Sequence, residues 1–322
     1  MMSAQKKAMP ILAAVVAAVT WGFSFLFTKN ALGHLETFQL LGYRFLVAAG
    51  FLTVLAATGL VKLRLTAQKM KGLLLVALLQ PVLYFVGETI GVKLTTTTES
   101  GILIALVPLA ITVCSVVMLK ERLSALSWAA IAISVAGVVL IVLAKGLDAG
   151  GSQLTGTLAL LGAVVAAGIY NPLSRMVSRQ CSPIETTFVM MWVGAIVFNI
   201  AGIALHKGGI GTYLSGFANT TVLMDVAYLG VLSSVVAFFG LNYALSRLPS
   251  STVGTFINLT PIITVFAGVL IGRETLLPLQ IAGAVLVLAG IWWVARRQAA
   301  DASASRKAEA AECAAGEPSA SQ

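Results

Sequence analysis

The sequence predicts an all-α integral membrane protein with ten transmembrane helices, arranged as two inverted five-helix repeats. Three observations lead to this fold class: the composition, ten long apolar runs, and an internal repeat with constant spacing. Of the 322 residues, 58% are hydrophobic and 10% are charged, and the mean hydropathy is +0.96. Soluble domains are nearer ~45–50% apolar and ~25% charged, and a soluble fold of this length cannot bury so much apolar surface. The excess therefore faces lipid.

The apolar runs give the helix count. A transmembrane helix needs ~20 mostly apolar residues, and ten runs fit: 10–28, 37–59, 71–92, 100–119, 126–144, 154–174, 184–205, 222–245, 251–271 and 277–295. The runs are unbroken, whereas the strands of a membrane barrel alternate, so helices are predicted. The first run follows Lys6 and Lys7, as in a signal peptide, but it is long and holds Trp21 and Phe27. We interpret it as a retained helix.

The runs divide the chain into four parts. Residues 1–9 form a cytoplasmic N-terminus, residues 10–144 the first five-helix repeat, and residues 154–296 the second. Residues 297–322 are rich in Ala, Ser and Glu and have no apolar run. A segment that cannot bury apolar surface stays disordered, so a disordered cytoplasmic tail is predicted there.

The placement of Lys and Arg predicts the topology. With ten helices both termini lie on one side, which we take as the cytoplasm. Of the 21 basic residues, fifteen then lie in cytoplasmic segments, Arg44 lies within a helix, and five lie outside: Lys29, Lys93, Lys145, Lys207 and Arg273. This asymmetry is the positive-inside pattern of membrane proteins.

Charge and cysteine usage exclude several partners. The net charge of +9 does not indicate nucleic-acid binding, because the basic residues are scattered singly between apolar runs. The three cysteines, Cys114, Cys181 and Cys313, are far apart and have no metal-ligand or disulfide spacing. We therefore expect no metal and no cofactor.

Two stretches of the chain repeat at an offset of 153 residues. The residues that match are not only aliphatic ones, and include Gly101 and Gly254, Pro108 and Pro261, Glu121 and Glu274, and Gly137 and Gly290. A weaker match at an offset of 146 sets residues 21–29 against residues 167–175. Because five helices is an odd number, the second copy enters the membrane from the opposite side. Inverted repeats of this kind support alternating access around a site near the bilayer midplane.

Several motifs resemble those of a known family. They are WGFSF (21–25), YRFLVA (43–48), ETIGVKLTTTTESGILIALVP (88–108), KERLS (120–124), AGVVLIV (136–142) and AGIWWV (289–294). Together they resemble the drug/metabolite transporter superfamily, in its ten-helix EamA-type branch. The segment GIYNPLSR (168–175) departs from the usual aromatic start of the second copy. The resemblance implies a carrier in the inner cell membrane, commonly an exporter of amino acids or other small metabolites.

The third helix carries the sharpest candidate site. Gln80, Tyr84 and Glu88 follow one face at a spacing of four residues, and Pro81 is expected to kink the helix beside them. A carboxyl group in an apolar helix is costly and should face a cavity or a partner. Glu88 is therefore a candidate proton carrier, the alternative being a hydrogen bond that only joins helices. For the polar face as a whole, the alternative to a binding cavity is a row of hydrogen bonds to a neighbouring helix.

Other intramembrane residues are candidates on weaker grounds. Arg44 can pair with Glu88 or bind a substrate carboxylate, or it can reach the outer interface. Paired breaks in the two halves mark a binding site in repeat transporters, which points to Pro108 and Pro261. The remaining candidates for lining a cavity are Trp21, Ser24, Tyr170, Asn171, Asn242 and Asn258.

These features favour a secondary transporter over two other classes. The sequence has no zinc motif, nucleophile elbow or phosphate loop of an intramembrane enzyme, and no ring of like polar groups for a channel. The expected partners are a small-molecule substrate, the lipid bilayer and protons as a coupling ion. Small residues on the fifth and tenth helices, Ala132, Ala136, Gly137, Gly283 and Gly290, are read as helix contacts or as the face of a homodimer.

Overall fold

The computed structural model describes residues 4–119, 125–144, 151–177, 180–247, 256–294 and 296. Within these ranges, every regular element is a helix. The predicted tail at 297–322, the KERLS motif and Gly254 lie outside the described residues.

The helices are numbered in chain order. They are α1 Ala4–Ala31, α2 Thr37–Ala57, α3 Ala67–Ala77, α4 Tyr84–Leu94, α5 Thr97–Ile104, α6 Val107–Leu119, α7 Ala125–Leu143, α8 Gly151–Val177, α9 Pro183–Leu205, α10 Gly209–Ser215, α11 Thr220–Ala227, α12 Ala237–Arg247, α13 Leu259–Phe266 and α14 Pro278–Val294. Wide π-helical turns join α3 to α4 (Leu78–Leu83) and α11 to α12 (Tyr228–Val236). Another follows α13 (Ala267–Ile271).

Eight helical segments in the described part are long and apolar enough to cross a membrane. They include Ala67–Leu94, which runs through α3 and α4, and Thr97–Cys114, which runs through α5 and α6. The predicted runs 251–271 and 277–295 correspond to two shorter apolar helices, Leu259–Ile271 and Pro278–Val294. α1 begins at Ala4, six residues before the predicted start, and continues through Pro10.

The bundle has two distinct ends. At one end Lys29 Nζ donates to the carbonyl oxygens of Val92 (2.7 Å) and Lys93 (3.1 Å), so the end of α1 lies against the end of α4. At the other end Lys69 pairs with Glu185 at 3.1 Å, joining α3 to α9. We call these the Lys29 end and the Lys69 end.

Helices α7 and α14 approach each other at glycines. A Cβ atom placed on Gly137 would lie 2.5 Å from the carbonyl oxygen of Gly283, and one placed on Gly290 would lie 2.6 Å from that of Ala130. Ser134 Oγ donates across the interface to the carbonyl of Val287 at 3.3 Å. Small residues let the two backbones approach closely. Close packing matters here because lipid provides no hydrophobic force between helices.

Gly290→Ala is expected to lower the thermal stability of the purified protein. The added methyl group would overlap the Ala130 carbonyl and Ser134 Oγ, and overpacking of this kind costs roughly 1–3 kcal/mol. Gly162→Ala is the matched control: it lies within α8, and a Cβ there would meet no described atom within 4 Å. Equal melting temperatures for the two variants would contradict the close α7–α14 contact.

Candidate functional site

One cavity of about 590 Å³ lies inside the bundle. Its walls come from both halves of the chain. Most of the residues predicted from the sequence line it: Trp21, Ser24, Arg44, Gln80, Tyr84, Glu88, Pro108, Tyr170, Asn171, Asn258 and Pro261. Asn242 lies on α12, but its side chain is outside the described part of the structure.

A break in the helix positions the polar face formed by Gln80, Tyr84 and Glu88. Gln80 has φ −142° and ψ 112°, which interrupts the helix, and Pro81 follows inside the wide turn. Pro81 itself does not line the cavity and instead packs near Gly194 of α9. The turn therefore directs Gln80 toward the cavity, while α4 resumes at Tyr84 and carries Glu88 one turn further on.

Glu88 is a buried acid with an unused oxygen. It is 6% exposed, and its Oε2 atom has no hydrogen-bond partner among the described residues. A buried carboxyl oxygen without a partner is costly, and an intramembrane acid of this kind marks a functional site. Because Glu88 also lines the cavity, a cavity ligand or a proton can satisfy this oxygen.

Arg44 of α2 is the second buried charge at the cavity. Its Nε donates to Ser234 Oγ at 3.1 Å and its Nη2 to Ser233 Oγ at 3.2 Å. The guanidinium also lies over the ring of Phe85, 4.4 Å from the centroid, an arrangement that stabilises a cation. Arg44 and Glu88 interact through their charges, although within the described ranges no ion-pair contact joins them. The predicted pairing is thus electrostatic, and two serines hold the guanidinium.

Trp21 links α1 to the wide turn that carries those serines. Its Nε1 donates to the carbonyl oxygen of Ser233 at 3.0 Å, and its ring meets Phe238 edge-on at 5.3 Å. A π-helical turn leaves carbonyls without their usual partners in the helix, and Trp21 satisfies one of them. Ser24 Oγ donates to the carbonyl of Trp21 at 2.7 Å, so its hydroxyl oxygen remains an acceptor for the cavity.

The second half contributes mostly apolar or internally satisfied groups. Asn171 Nδ2 donates to the carbonyl of Ala167 at 3.0 Å, one turn earlier on α8. Tyr170 Oη contacts Met190 Sδ at 3.6 Å. Apolar side chains form much of the remaining wall. The second half supplies Leu241, Ile257, Ile262, Leu288 and Ile291, and the first half supplies Ile104, Val107 and Ile111. The cavity is therefore an apolar chamber with one charged region around Arg44 and Glu88.

Both predicted proline breaks occur at the cavity. α5 ends at Ile104 and α6 begins at Val107, with Pro108 in its first turn. Pro261 lies in the first turn of α13, after a turn at Asn258. Proline is tolerated in a first helical turn because the N–H it lacks has no partner there. The backbone next to the cavity is therefore irregular in both halves of the chain.

Several residues of the cavity wall, or bonded to it, were not predicted from the sequence. Ser233 and Ser234 hold Arg44, and adjacent serines inside the apolar run 222–245 are the signal that could have identified them. Phe238 also lines the cavity, although a phenylalanine inside an apolar run is more often a lipid or core contact. Trp292 of α14 lines the cavity while remaining 58% exposed. No sequence pattern distinguishes it from its neighbour Trp293, which does not line the cavity.

The described residues contain no group of three or more His, Cys, Asp or Glu side chains placed to hold a metal ion. The cavity wall offers charged groups, hydrogen-bonding groups and apolar side chains with which to bind a ligand.

A comparison with protein families identifies the chain. The EamA-like transporter family matches residues 8–143 and, separately, residues 154–296. The chain belongs to the EamA-like transporter family. It is accordingly a multi-pass membrane transporter and not an enzyme.

Similar proteins carry transporter names. The uncharacterized transporter YcxC of Bacillus subtilis is 34% identical over 87% of this chain and 90% of that protein. An uncharacterized transporter of Archaeoglobus fulgidus is 23% identical over 88% of this chain and 99% of that protein. A probable terminal-alkyne amino-acid exporter of Streptantibioticus cattleyicolor is 28% identical over 62% of this chain and 64% of that protein.

A solved crystal structure shares the fold. It superposes with a TM-score of 0.60 at 19% sequence identity, covering 88% of this chain and 97% of the other. At this level of identity, the likeness concerns the fold alone.

Arg44→Lys is expected to lower the thermal stability of this transporter. An ammonium group cannot reproduce the fork that reaches both Ser233 and Ser234, and each lost hydrogen bond to a charged group costs roughly 1.5–3 kcal/mol. Arg64→Lys, at an exposed position, is the matched control. Arg44→Lys with a melting temperature equal to that of the control would show that the two serines do not hold the guanidinium.

Proposed function

We propose that this EamA-like transporter is a ten-helix secondary carrier in which two inverted repeats alternate access to one cavity, exporting a small organic solute. The observation that carries the proposal is the arrangement of the cavity wall. Pairs of wall residues separated by 153 positions come from matching places in the two halves: Gln80 and Ser233, Phe85 and Phe238, Glu88 and Leu241, Ile104 and Ile257, Ala105 and Asn258, Val107 and Thr260, and Pro108 and Pro261.

Matched irregularities support the same repeat. The wide turn Leu78–Leu83 interrupts the helical segment of the first half that contains α3 and α4. The wide turn Tyr228–Val236 interrupts the segment of the second half that contains α11 and α12. Gln80 and Ser233, which are 153 residues apart, lie within these two turns. Interrupted segments at corresponding positions are typical of the binding region in inverted-repeat transporters.

Helix contacts also map onto one another. Gly137 contacts Gly283, and Gly290 contacts Ala130. The second pair is the counterpart of the first, because Gly290 lies 153 residues after Gly137 and Ala130 lies 153 residues before Gly283. Gly22 meets Ile263. Their counterparts are Gly168, which lies 146 residues after Gly22, and Ala110, which lies 153 residues before Ile263. Gly168 and Ala110 also contact each other. A two-fold relation between the halves accounts for these pairs, and five helices per half make the relation an inversion across the membrane. The separate family matches to residues 8–143 and 154–296 agree with it.

The charge distribution suggests the kind of substrate. Arg44 and Glu88 form the charged region of an otherwise largely apolar chamber. In our proposal a substrate carboxylate binds to Arg44, whose Nη1 remains available beside the two serines, and a substrate ammonium group or a proton binds to Glu88. An amino acid with an apolar side chain, or a drug-like solute of similar shape, has this combination of groups. The probable amino-acid exporter among the similar proteins is consistent with this class and with export.

Proton coupling through Glu88 completes the proposal. A carboxyl group that binds either a proton or a substrate ammonium group exchanges one for the other, and this exchange couples the proton gradient to transport. The support is the burial of Glu88 and its unused oxygen at the cavity. Glu88→Gln keeps the shape of the side chain and removes proton exchange.

Transport by purified protein in liposomes tests this function. We expect counterflow of radiolabelled L-leucine or L-phenylalanine that saturates with concentration and responds to an imposed pH gradient.

Glu88→Gln is expected to abolish the pH response, and Gln80→Ala to weaken thermal stabilisation by the transported amino acid. Glu36→Gln, a half-exposed carboxylate outside the cavity, is the matched control. A pH response that persists in Glu88→Gln would overturn the coupling role, and linear flux would indicate a channel.

The proposed topology has both termini in the cytoplasm of the inner cell membrane. Alkaline phosphatase fused within residues 145–150 or at Lys207 should therefore be active outside the cytoplasm, and fusions within residues 60–65 should be inactive. The physical reason is that positively charged segments are retained inside. An active fusion within residues 60–65 would reverse the orientation.

A further inference from the structure

At the Lys29 end of the bundle, the two halves are held together by a carboxylate that binds backbone N–H groups. Glu274 follows the wide turn Ala267–Ile271 in the second half. Its Oε1 accepts from the N–H of Thr97 at 2.6 Å, and its Oε2 accepts from the N–H of Thr98 at 2.9 Å. Both donors belong to the first turn of α5, in the first half. The neighbouring pair Arg273 and Glu274 suggests a hairpin salt bridge, whereas the carboxylate of Glu274 reaches across to α5.

This contact is favourable for reasons beyond distance. The first N–H groups of a helix have no partner within it, and the helix dipole favours a negative charge at that end. Two bonds from N–H groups to one carboxylate are charge-assisted and directional. Glu274 therefore acts as a cap for α5 supplied by the other half of the chain.

A second bond lies beside the first. The amide of Gln280 at the start of α14 donates to Glu99 Oε1 of α5, and Gln280 Oε1 accepts from the N–H of Leu277 at 2.9 Å. Glu99 is itself the N3 residue of the capping box whose N-cap is Thr96. The first turn of α5 is thus joined to residues 274–280 through both backbone and side chains.

Gly268 makes room for the contact. Its carbonyl accepts from the N–H of Glu274 at 3.0 Å. A Cβ atom on Gly268 would lie 2.6 Å from Glu274 Oε2 and closer still to Thr98 Oγ1. We call Gly268, Glu274, Gln280, Glu99 and the N–H groups of Thr97 and Thr98 the clasp.

The clasp lies at the end of the bundle that is nearer the charged residues of the cavity. Arg44 lies seven residues from the start of α2, and Glu88 six residues from the end of α4. At 1.5 Å per residue, both are about 10 Å from the Lys29 end. On the other side, the cavity extends past Asn171, Leu241 and Asn258, toward the Lys69 end. α5, whose first turn carries the clasp, also contributes Gly101 and Ile104 to the cavity wall, so the clasp lies between the charged residues and the Lys29 end.

The clasp also contains groups that favour its opening. Thr97 Oγ1 and Thr98 Oγ1 are buried, and neither has a hydrogen-bond partner in the part of the chain that the structure describes. Buried hydroxyls without partners destabilise the closed arrangement, and separation of the two halves would hydrate them. The cost of these hydroxyls offsets part of the stabilisation from the bonds, which narrows the free-energy difference between a closed and an open arrangement.

We propose that the clasp is the gate of the Lys29 end: it holds the two repeats together while the cavity is accessible from the Lys69 end, and it must release for solute to leave. The proposal rests on the alternating-access function above, and it assigns Glu274 and Gly268 a role in gating and none in binding substrate.

Cysteine accessibility tests the gate without a substrate. In a background with Cys114, Cys181 and Cys313 changed to Ser, Ser24→Cys places a reporter in the cavity, and a membrane-impermeant maleimide is applied from the Lys29 side of sealed vesicles. Glu274→Gln removes the charge, and Gly268→Ala displaces the carboxylate. Each should raise the labelling rate about tenfold, because loss of charge-assisted bonds shifts the population toward the open state.

Matched changes at the same end serve as controls. Glu36→Gln repeats the chemistry outside the clasp, and Gly211→Ala adds a methyl group where no described atom lies within 4 Å. Neither should alter labelling. If Glu274→Gln and Gly268→Ala label as slowly as the controls while remaining folded by size-exclusion chromatography, the clasp does not set access to the cavity.

A disulfide across the clasp provides the second test. Thr98→Cys with Gly268→Cys brings two Cβ atoms within about 4 Å, a separation that a disulfide spans. Oxidation should stop L-leucine counterflow and reductant should restore it, whereas each single variant should be insensitive to oxidant. Counterflow that continues after complete cross-linking would overturn the gate. Absence of counterflow in the unmodified protein would instead count against the proposed function, and the labelling experiment would still decide the gate.

Discussion

The buried guanidinium of Arg44 constrains the architecture around it. An arginine inside an apolar helical bundle is stable only if its donors are satisfied and its charge is balanced. Two hydroxyls on the neighbouring wide turn, the ring of Phe85 and the charge of Glu88 perform these tasks. The hydroxyls come from the wide turn, and Phe85 and Glu88 both come from α4. The contacts of Arg44 therefore fix how α2, α4 and the turn before α12 lie relative to one another.

Satisfying Arg44 requires helices that are not regular. Ser233 and Ser234 lie in a π-helical turn, where the wider backbone leaves a carbonyl for Trp21 to bind. Gln80 lies in the matching turn of the first half and has a backbone conformation that no regular helix contains. Irregular backbone inside a membrane is tolerated where it lines a cavity or is covered by protein. The cavity and the breaks are therefore consequences of the same requirement.

Much of the fold could be predicted from sequence because its signals are local. Apolar run length locates helices, and the matched prolines locate the breaks at Pro108 and Pro261. The polar face of Gln80, Tyr84 and Glu88 follows from helical spacing alone. Neither the partner of Arg44 nor the role of Glu274 could be predicted in this way. Their partners lie 189 and 177 residues away along the chain, and a single sequence carries no record of which distant polar groups meet.

The helix ends show the same limit. Glu274 has the sequence environment of a loop residue next to Arg273, and local reasoning assigns it a local partner. Thr97 and Thr98 open a helix whose own capping box already uses Thr96 and Glu99. That box leaves further N–H groups of the first turn to be satisfied. The need for a partner can be read from the sequence, whereas its source in the second half requires the folded chain.

The symmetry of the scaffold makes the asymmetry of its charges informative. Glu88 faces the cavity from the first half, and its counterpart 153 residues later is Leu241, which also lines the cavity. Gln80 has Ser233 as its counterpart, so the second half keeps a small polar group and loses the acid. An inverted repeat with identical halves would present the same charges toward both ends, and a bound solute would have no preferred direction. Here the acid, like Arg44, lies nearer the Lys29 end. In the proposed carrier, a solute with a charged head and an apolar body would therefore bind with its head toward that end, and the head would stay with the half that carries Arg44 and Glu88 while access alternates.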